Sequence, residues 1–420
     1  MSGSPSLWTQ LPQSSRAPCD RYKHACCSYH GHVYVLGGRE SSSLRDFWKY
    51  SVAFNKWTQI NCTCDAAPEE LEEHSMVAHE GFLYVFGGML DSSYTRSTSA
   101  LWVFDIMKQK WVLCQGKTSS PKVPSNRKGH SAVVLGSTML VYGGFVDIRG
   151  SSQDFWALDF DTMSWSLLNS SQHDSAGPGP RHSHSAVVYQ SCMYLYGGLK
   201  GLREQKDLWR WNSCSFTWTC MKNMSGPPRL IGHSAALYND HMLVFGGGQS
   251  VDCPQSSLWS YSFTSHTWTQ VASLPGSTAP TKIHHCSTGL GPSYRVPSTT
   301  CSMSPLQQGR ARPFQNRCYP APQSSPGLGG DIELETFSTS SSTLDLSTET
   351  EEDLMTLSCL SFENKAFRKQ WSCTEEELMV EEEEDGDISL HLPDQLLVLG
   401  GRPCVRHQLI SVWQMTLTHS

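Results

Sequence analysis

Among its 420 residues, no stretch approaches the ~20 apolar positions a helix needs to cross a bilayer. The opening segment, MSGSPSLWTQLPQ, lacks the basic-then-apolar order of a secretory signal. Both absences point to a soluble protein of the cytoplasm, with the nucleus also open to it. Charge is modest as well: 17% of residues are charged and the net charge is −7. That balance argues against general attraction to nucleic acid or to an anionic membrane. The sixteen cysteines contain no C-x-x-C pair. Cys62 and Cys64 form C-x-C and Cys26 and Cys27 are adjacent, and neither spacing is that of a zinc site. Without a secretory signal the cysteines read as reduced thiols, many of them small core residues. No G-x-S-x-G elbow, P-loop or H-E-x-x-H is present. No cofactor or metal is therefore implied, and no catalytic residue is assigned.

What the chain has in abundance is β-structure with turns: 33 glycines, 14 tryptophans and 14 tyrosines. Three marks recur. A histidine (His24, His74, His130, His184, His233) stands thirteen residues before a Gly-Gly pair that ends an apolar run. The pairs are Gly37-Gly38, Gly87-Gly88, Gly143-Gly144, Gly197-Gly198 and Gly246-Gly247. Two tryptophans nine residues apart follow: Trp48 and Trp57, Trp102 and Trp111, Trp156 and Trp165, Trp209 and Trp218, Trp259 and Trp268. Fixed distances belong to paired strands, and the variable gap after Gly-Gly to a loop. Each unit reads as four antiparallel strands, a to d, with alternating burial. Strand a is typified by HSAVVL, strand b by the apolar run, strand c by DFWKYSV and strand d by WTQI. Glycines let the chain leave strand b where neighbours crowd. The aromatic of strand c is expected to pack unit on unit.

This pattern resembles the kelch repeat, in which units of ~50 residues each form one four-stranded propeller blade. The resemblance implies an all-β, six-bladed β-propeller. Five units are complete, and fragments supply a sixth. His285 opens a strand a, but the Gly-Gly expected at position 298 appears as Gly400-Gly401. Trp413 follows in a strand c, and the chain stops before a strand d. LWTQL, with Trp8, matches the missing strand. The amino-terminal strand is thus expected to close the last blade beside Trp413, which removes free sheet edges. The propeller spans 1–290 and 394–420. Blades 1–5 occupy about 20–275, and blade 6 draws on 280–290, 394–420 and 5–12. Residues 291–393 carry 18 acidic and 7 basic side chains, a net of −11 against −7 for the whole, which leaves +4 on the rest. Their Ser/Thr/Glu-rich composition reads as a disordered acidic insertion.

In such a fold the d–a and b–c loops share one face, and variable loops on a rigid frame are where binding sits. These loops carry Arg21, Arg39, Arg45, Arg96, Arg127, Arg149, Arg181, Arg203, Arg229 and Arg402. Guanidinium forks grip carboxylates and phosphates, so a protein or peptide partner, acidic in character, fits such a face. The recurring histidines read as structural positions, one per blade at equal depth. The chain resembles stand-alone kelch proteins, including Rab-effector-like ones, and the kelch part of leucine-zipper-like regulators. That resemblance implies a non-catalytic interaction scaffold or adaptor. The alternative is a substrate receptor of a cullin-type ubiquitin ligase, with the insertion supplying the ligase contact. A third reading is an enzyme built on a kelch propeller.

Overall fold

The computed structural model describes residues 4–90, 100–112, 123–169, 177–222, 225–295 and 391–418. The insertion expected over 291–393 falls almost wholly outside them. The described residues form six four-stranded antiparallel sheets, each in the order a-b-c-d. Blade 1 is built from Ala25–Tyr29, His32–Leu36, Phe47–Ser51 and Lys56–Ile60. Strands a of successive blades touch one another all the way round, including blade 6 against blade 1. They are the innermost strands of a closed propeller.

Strand b explains its own sequence. It lies between sheets, so both of its faces are covered and its residues are apolar without a break. In blade 1, Tyr34 and Leu36 pack into the junction with blade 2, and Val33 and Val35 into the junction with blade 6. Six separate apolar clusters result, one at each junction. The first tryptophan of each pair is not the main source of this packing. Trp48, Trp102, Trp209, Trp259 and Trp413 are only half-buried and Trp156 is the buried exception, whereas the residue two further on is buried in every blade: Tyr50, Phe104, Leu158, Trp211, Tyr261 and Met415. Residues two apart share one face of a strand, so both positions look into the same junction, and the second is the one the neighbouring blade covers fully. The expectation for cysteine also needs correcting: among the described cysteines only Cys62 is fully buried.

Blade 6 closes as the fragments suggest. Ser6–Leu11 pairs with Val412–Leu417, and Cys286–Leu290 pairs with Gln395–Leu399. Trp8 lies opposite Met415, two residues after Trp413. The same offset holds in the other blades, as in Trp57 opposite Tyr50 and Trp268 opposite Tyr261. The amino-terminal strand therefore takes the strand-d register without a shift. It also reaches back to blade 5, where the Trp8 ring lies 4.6 Å from Phe245 and the Trp8 backbone N–H donates to Ser277 Oγ at 2.7 Å.

Two rings of backbone hydrogen bonds lock the blades at the loop-face end of strand a. The residue before each repeat histidine donates to its counterpart in the preceding blade. Lys23, Glu73, Gly129, Ser183, Gly232 and His284 form this ring, with N···O distances from 2.7 to 3.1 Å. All six have positive φ, which turns N–H and C=O along the circle. Outside it, the second glycine of each pair donates to the residue three before the next blade's histidine. These bonds run Gly38 to Leu71, Gly88 to Arg127, and so on to Gly401 with Arg21, at 2.7 to 2.9 Å. The Gly-Gly pair is required at this crossing. A Cβ on Gly37 would lie 2.9 Å from the Leu71 carbonyl, and one on Gly38 would lie 2.7 Å from the Tyr22 carbonyl and from His24 Cβ. Such contacts force the backbone apart, and both residues hold φ above +50°.

Candidate interaction face

The rings hold the mouth of the central channel, and the loops of the d–a and b–c sets stand around it. In five blades the residue two before the histidine exchanges both backbone hydrogen bonds with the residue after Gly-Gly. The pairs are Tyr22 with Arg39, Lys128 with Phe145, His182 with Leu199, Ile231 with Gly248, and Ile283 with Arg402. Blade 2 bridges Leu71 with Met89 instead. The backbone frame repeats, while the side chains it presents differ in almost every blade.

At the mouth, Lys23 Nζ lies 2.8 Å from Glu73 Oε1, and Arg39 Nη1 lies 3.0 Å from Glu72 Oε1. Ser43 Oγ donates to the same Glu72 oxygen at 2.6 Å. The Arg402 guanidinium stands over the Tyr22 ring, 5.4 Å from its centroid. Tyr22, Lys23, Arg39, Glu72, Glu73 and Arg402, together with His182, Ser183, Ile231, Val251 and His284, line an open cavity of about 550 Å³. Burial works against charge on Glu73, yet the Lys23 ammonium and His284 more than offset it and hold the carboxyl below its usual range. Burial lowers the affinity of both His182 and His284 for a proton, and Glu73 opposes it in each. The mouth is a mixed-charge surface rather than a cationic funnel.

The ten arginines expected on this face divide. Arg21, Arg127 and Arg181 have side chains at 0–1% exposure and point inward. Arg21 forks onto Asp46 at 2.7 and 2.8 Å, and Arg181 forks onto Asp207 at 2.8 and 2.9 Å. Arg127 meets Asp154 at 3.2 Å. Each also donates to the carbonyl of its blade's first glycine: Gly37, Gly143 or Gly197. They are framework residues, and their charge is not offered to a partner. The physical reason is their position three before the histidine, which lies under the crossing of Gly-Gly. That position carries Leu71 in blade 2, Leu230 in blade 5 and Lys282 in blade 6, all buried. Arg39 is tied to Glu72, and Arg45 donates to the Cys62 carbonyl at 3.0 Å. Arg149, Arg203, Arg229 and Arg402 are exposed on the loop face. Arg96 lies outside the described residues.

Sequence reasoning did not find the inner backbone ring or the crown of paired loop residues. A signal was available: Gly129 and Gly232 each precede a repeat histidine, where a strand start has no use for glycine unless φ is positive. Two b–c hairpins were also missed. Phe145–Val146 pairs with Gly150–Ser151 in blade 3, and Leu199–Lys200 pairs with Arg203–Glu204 in blade 4.

Comparison with known proteins agrees with this architecture. The model of the KLHDC2/KLHL20/DRC7 Kelch-repeats domain matches residues 4–123 and 117–294. Kelch domain-containing protein 10 of Xenopus laevis is 27% identical over 248 residues, covering 57% of this chain and 59% of that protein. Kelch domain-containing protein 3 of Bos taurus is 31% identical over 184 residues, 41% of this chain and 47% of that protein. The leucine-zipper-like transcriptional regulator 1 homolog of Drosophila melanogaster is 28% identical over 238 residues, 55% of this chain and 23% of that protein. The chain thus spans less than two thirds of the length of these relatives. With six four-stranded blades, the repeated His and Gly-Gly marks and a family model matching well over half its length, the chain belongs to the kelch-repeat family.

Proposed function

We propose that this chain is a non-catalytic interaction scaffold that holds a partner protein or peptide on the loop face of the propeller. The observation that carries the reading is the crown around the channel mouth, where a constant backbone frame presents a different pair of side chains in almost every blade. A rigid frame with variable side chains suits recognition. Exposed Arg229 and Arg402 supply charge, and Tyr22 and Phe145 supply rings, the residue types that anchor interfaces.

The test compares partners recovered by proximity labelling. Arg402→Glu with Arg229→Glu alters the loop face, and Phe54→Glu with Met107→Glu alters exposed c–d turns on the opposite face. The expected result is loss of the main labelled partners in the first variant and their retention in the second. The reverse outcome would move the binding face to the other side and defeat the reading.

A further inference from the structure

The b–c hairpins of blades 3 and 4 carry an aliphatic residue followed by an arginine at the same offset, in a three-residue turn over Asp147–Arg149 in blade 3 and at the two-residue turn over 201–202 in blade 4. Ile148 and Leu202 both stand four residues after the second glycine of their blade, and Arg149 and Arg203 both follow. The aliphatic side chains are 98% and 95% exposed. Equal offsets on equivalent hairpins of a repeating frame put both tips on the same side of the molecule. The hairpins are joined at their base. The Phe145 ring, itself 43% exposed, meets the His182 ring edge-on at 5.7 Å. His182 in turn exchanges backbone hydrogen bonds with Leu199, at 3.1 and 2.8 Å. Blade 6 carries Val405 and Arg406 at the same offsets, but blade 5 breaks the arc with Val251 and Asp252.

Fully exposed aliphatic side chains at matched positions, each beside a cation, have no role in the fold. We infer that these two hairpins clasp a peptide segment that is acidic and bears aliphatic side chains. Its carboxylates meet Arg149, Arg203 and the neighbouring Lys200, and its aliphatic groups cover Ile148, Leu202 and Phe145. An anionic lipid surface would also match aliphatic-and-arginine tips. It is disfavoured because the same face carries exposed Glu69 and Glu70 on the blade 1 to blade 2 loop, which a flat anionic surface would repel. A peptide covers the clasp alone. This inference rests on the loop-face reading above and names the chemistry of its partner.

The probe is a random twelve-residue peptide library displayed on phage and selected on the full chain. Selected peptides are expected to combine Asp or Glu with Leu, Ile or Val. Their affinity is expected to fall about tenfold or more in Ile148→Asp/Leu202→Asp and in Arg149→Glu/Arg203→Glu. Both variants should melt with the wild type, since the altered side chains are exposed. Retained affinity in either variant, selected peptides without acidic residues, or binding of phosphatidylserine vesicles in place of peptides overturns the clasp. Peptides that survive the clasp variants but are lost in Arg402→Glu would defeat the clasp and leave the loop-face reading standing.

Discussion

Three buried arginines show how one position can be read two ways. Arg21, Arg127 and Arg181 look like loop cations in the sequence, since each sits just before a strand among polar residues. Their acids, Asp46, Asp154 and Asp207, lie more than twenty residues away, at the start of strand c. The clue lies in covariation between blades of this one chain. Where the first position is arginine, the residue before strand c is aspartate. Where it is Leu71 or Leu230, the corresponding residue is Ala100 or Ser257. A buried pair earns its place through completeness, because removing one partner strands the other charge. Asp207→Ser should therefore destabilise the fold by about 3 kcal/mol, by leaving the Arg181 guanidinium unpaired under the glycine crossing. Adding Arg181→Leu, which copies blade 5, should restore most of that loss. Urea unfolding of the two variants checks this; a double variant no more stable than the single one would mean the pair is not a replaceable unit.

Elements were more legible than sites. Strand identities, blade number and the strand-d role of Ser6–Leu11 all follow from spacings set by hydrogen-bond register, and register allows no drift. Side-chain direction at the loops follows no such rule, which is why framework and surface arginines could not be separated. The expectation that strand-c aromatics pack unit on unit holds, through Tyr50, Phe104, Trp211 and Tyr261 more than through the tryptophan two positions earlier. The amino-terminal strand joins blade 6 in full register and also touches blade 5 through Ser6 and Trp8. Deleting residues 1–12 exposes strand c of blade 6 and empties the Trp8 site among Phe245, Val398 and Met415. The loss should exceed the ~3–5 kcal/mol of a buried tryptophan truncation and lower the melting temperature by well over 10 °C. By contrast, Leu290 pairs directly with Gln395, and the Ser293 N–H donates to Asp394 at 2.9 Å. Replacing 296–390 by a short linker should leave melting unchanged. Differential scanning calorimetry separates the cases, and an unaltered melt for the 1–12 deletion would contradict closure by this strand.

At the scale of the molecule, the repeat histidines form one belt. Each lies between its own blade's second glycine and the first glycine of the preceding blade, so six imidazoles wedge six junctions. Four link onward by hydrogen bonds to the preceding blade: His130 with Ser75 at 2.8 Å, His184 with Ser131 at 3.0 Å, His285 with Ser234 at 2.8 Å, and His233 with the Tyr196 carbonyl at 3.2 Å. Five of its members are held neutral by burial. Burial lowers His74 and His130 to about 3 and His233 to about 4, and it pushes His184 and His285 well down, with nearby cations and neighbouring histidines adding to it in both. In the unfolded chain these groups titrate near 6.5. Below that value the unfolded state binds protons that the folded belt refuses, so stability is complete above about pH 6.5 and falls as pH drops toward the folded values. Each histidine contributes about 1.4 kcal/mol of loss by pH 5.5, and His74, His130 and His233 together about 4 kcal/mol. The paired carboxyls Glu73, Asp46 and Asp207, held below their ordinary range, enter only below about pH 4.5. The histidine window is therefore separate. Because the wedges sit at every junction, protonation should weaken all blades together and preserve a single transition. Thermal melts at pH 7.5, 6.5 and 5.5 are expected to fall mainly across the last step, with His74→Gln and His130→Gln each flattening the slope. A melting temperature constant from pH 7.5 to 5.5 would show that the belt accepts protons in place and that its neutrality does not hold the ring.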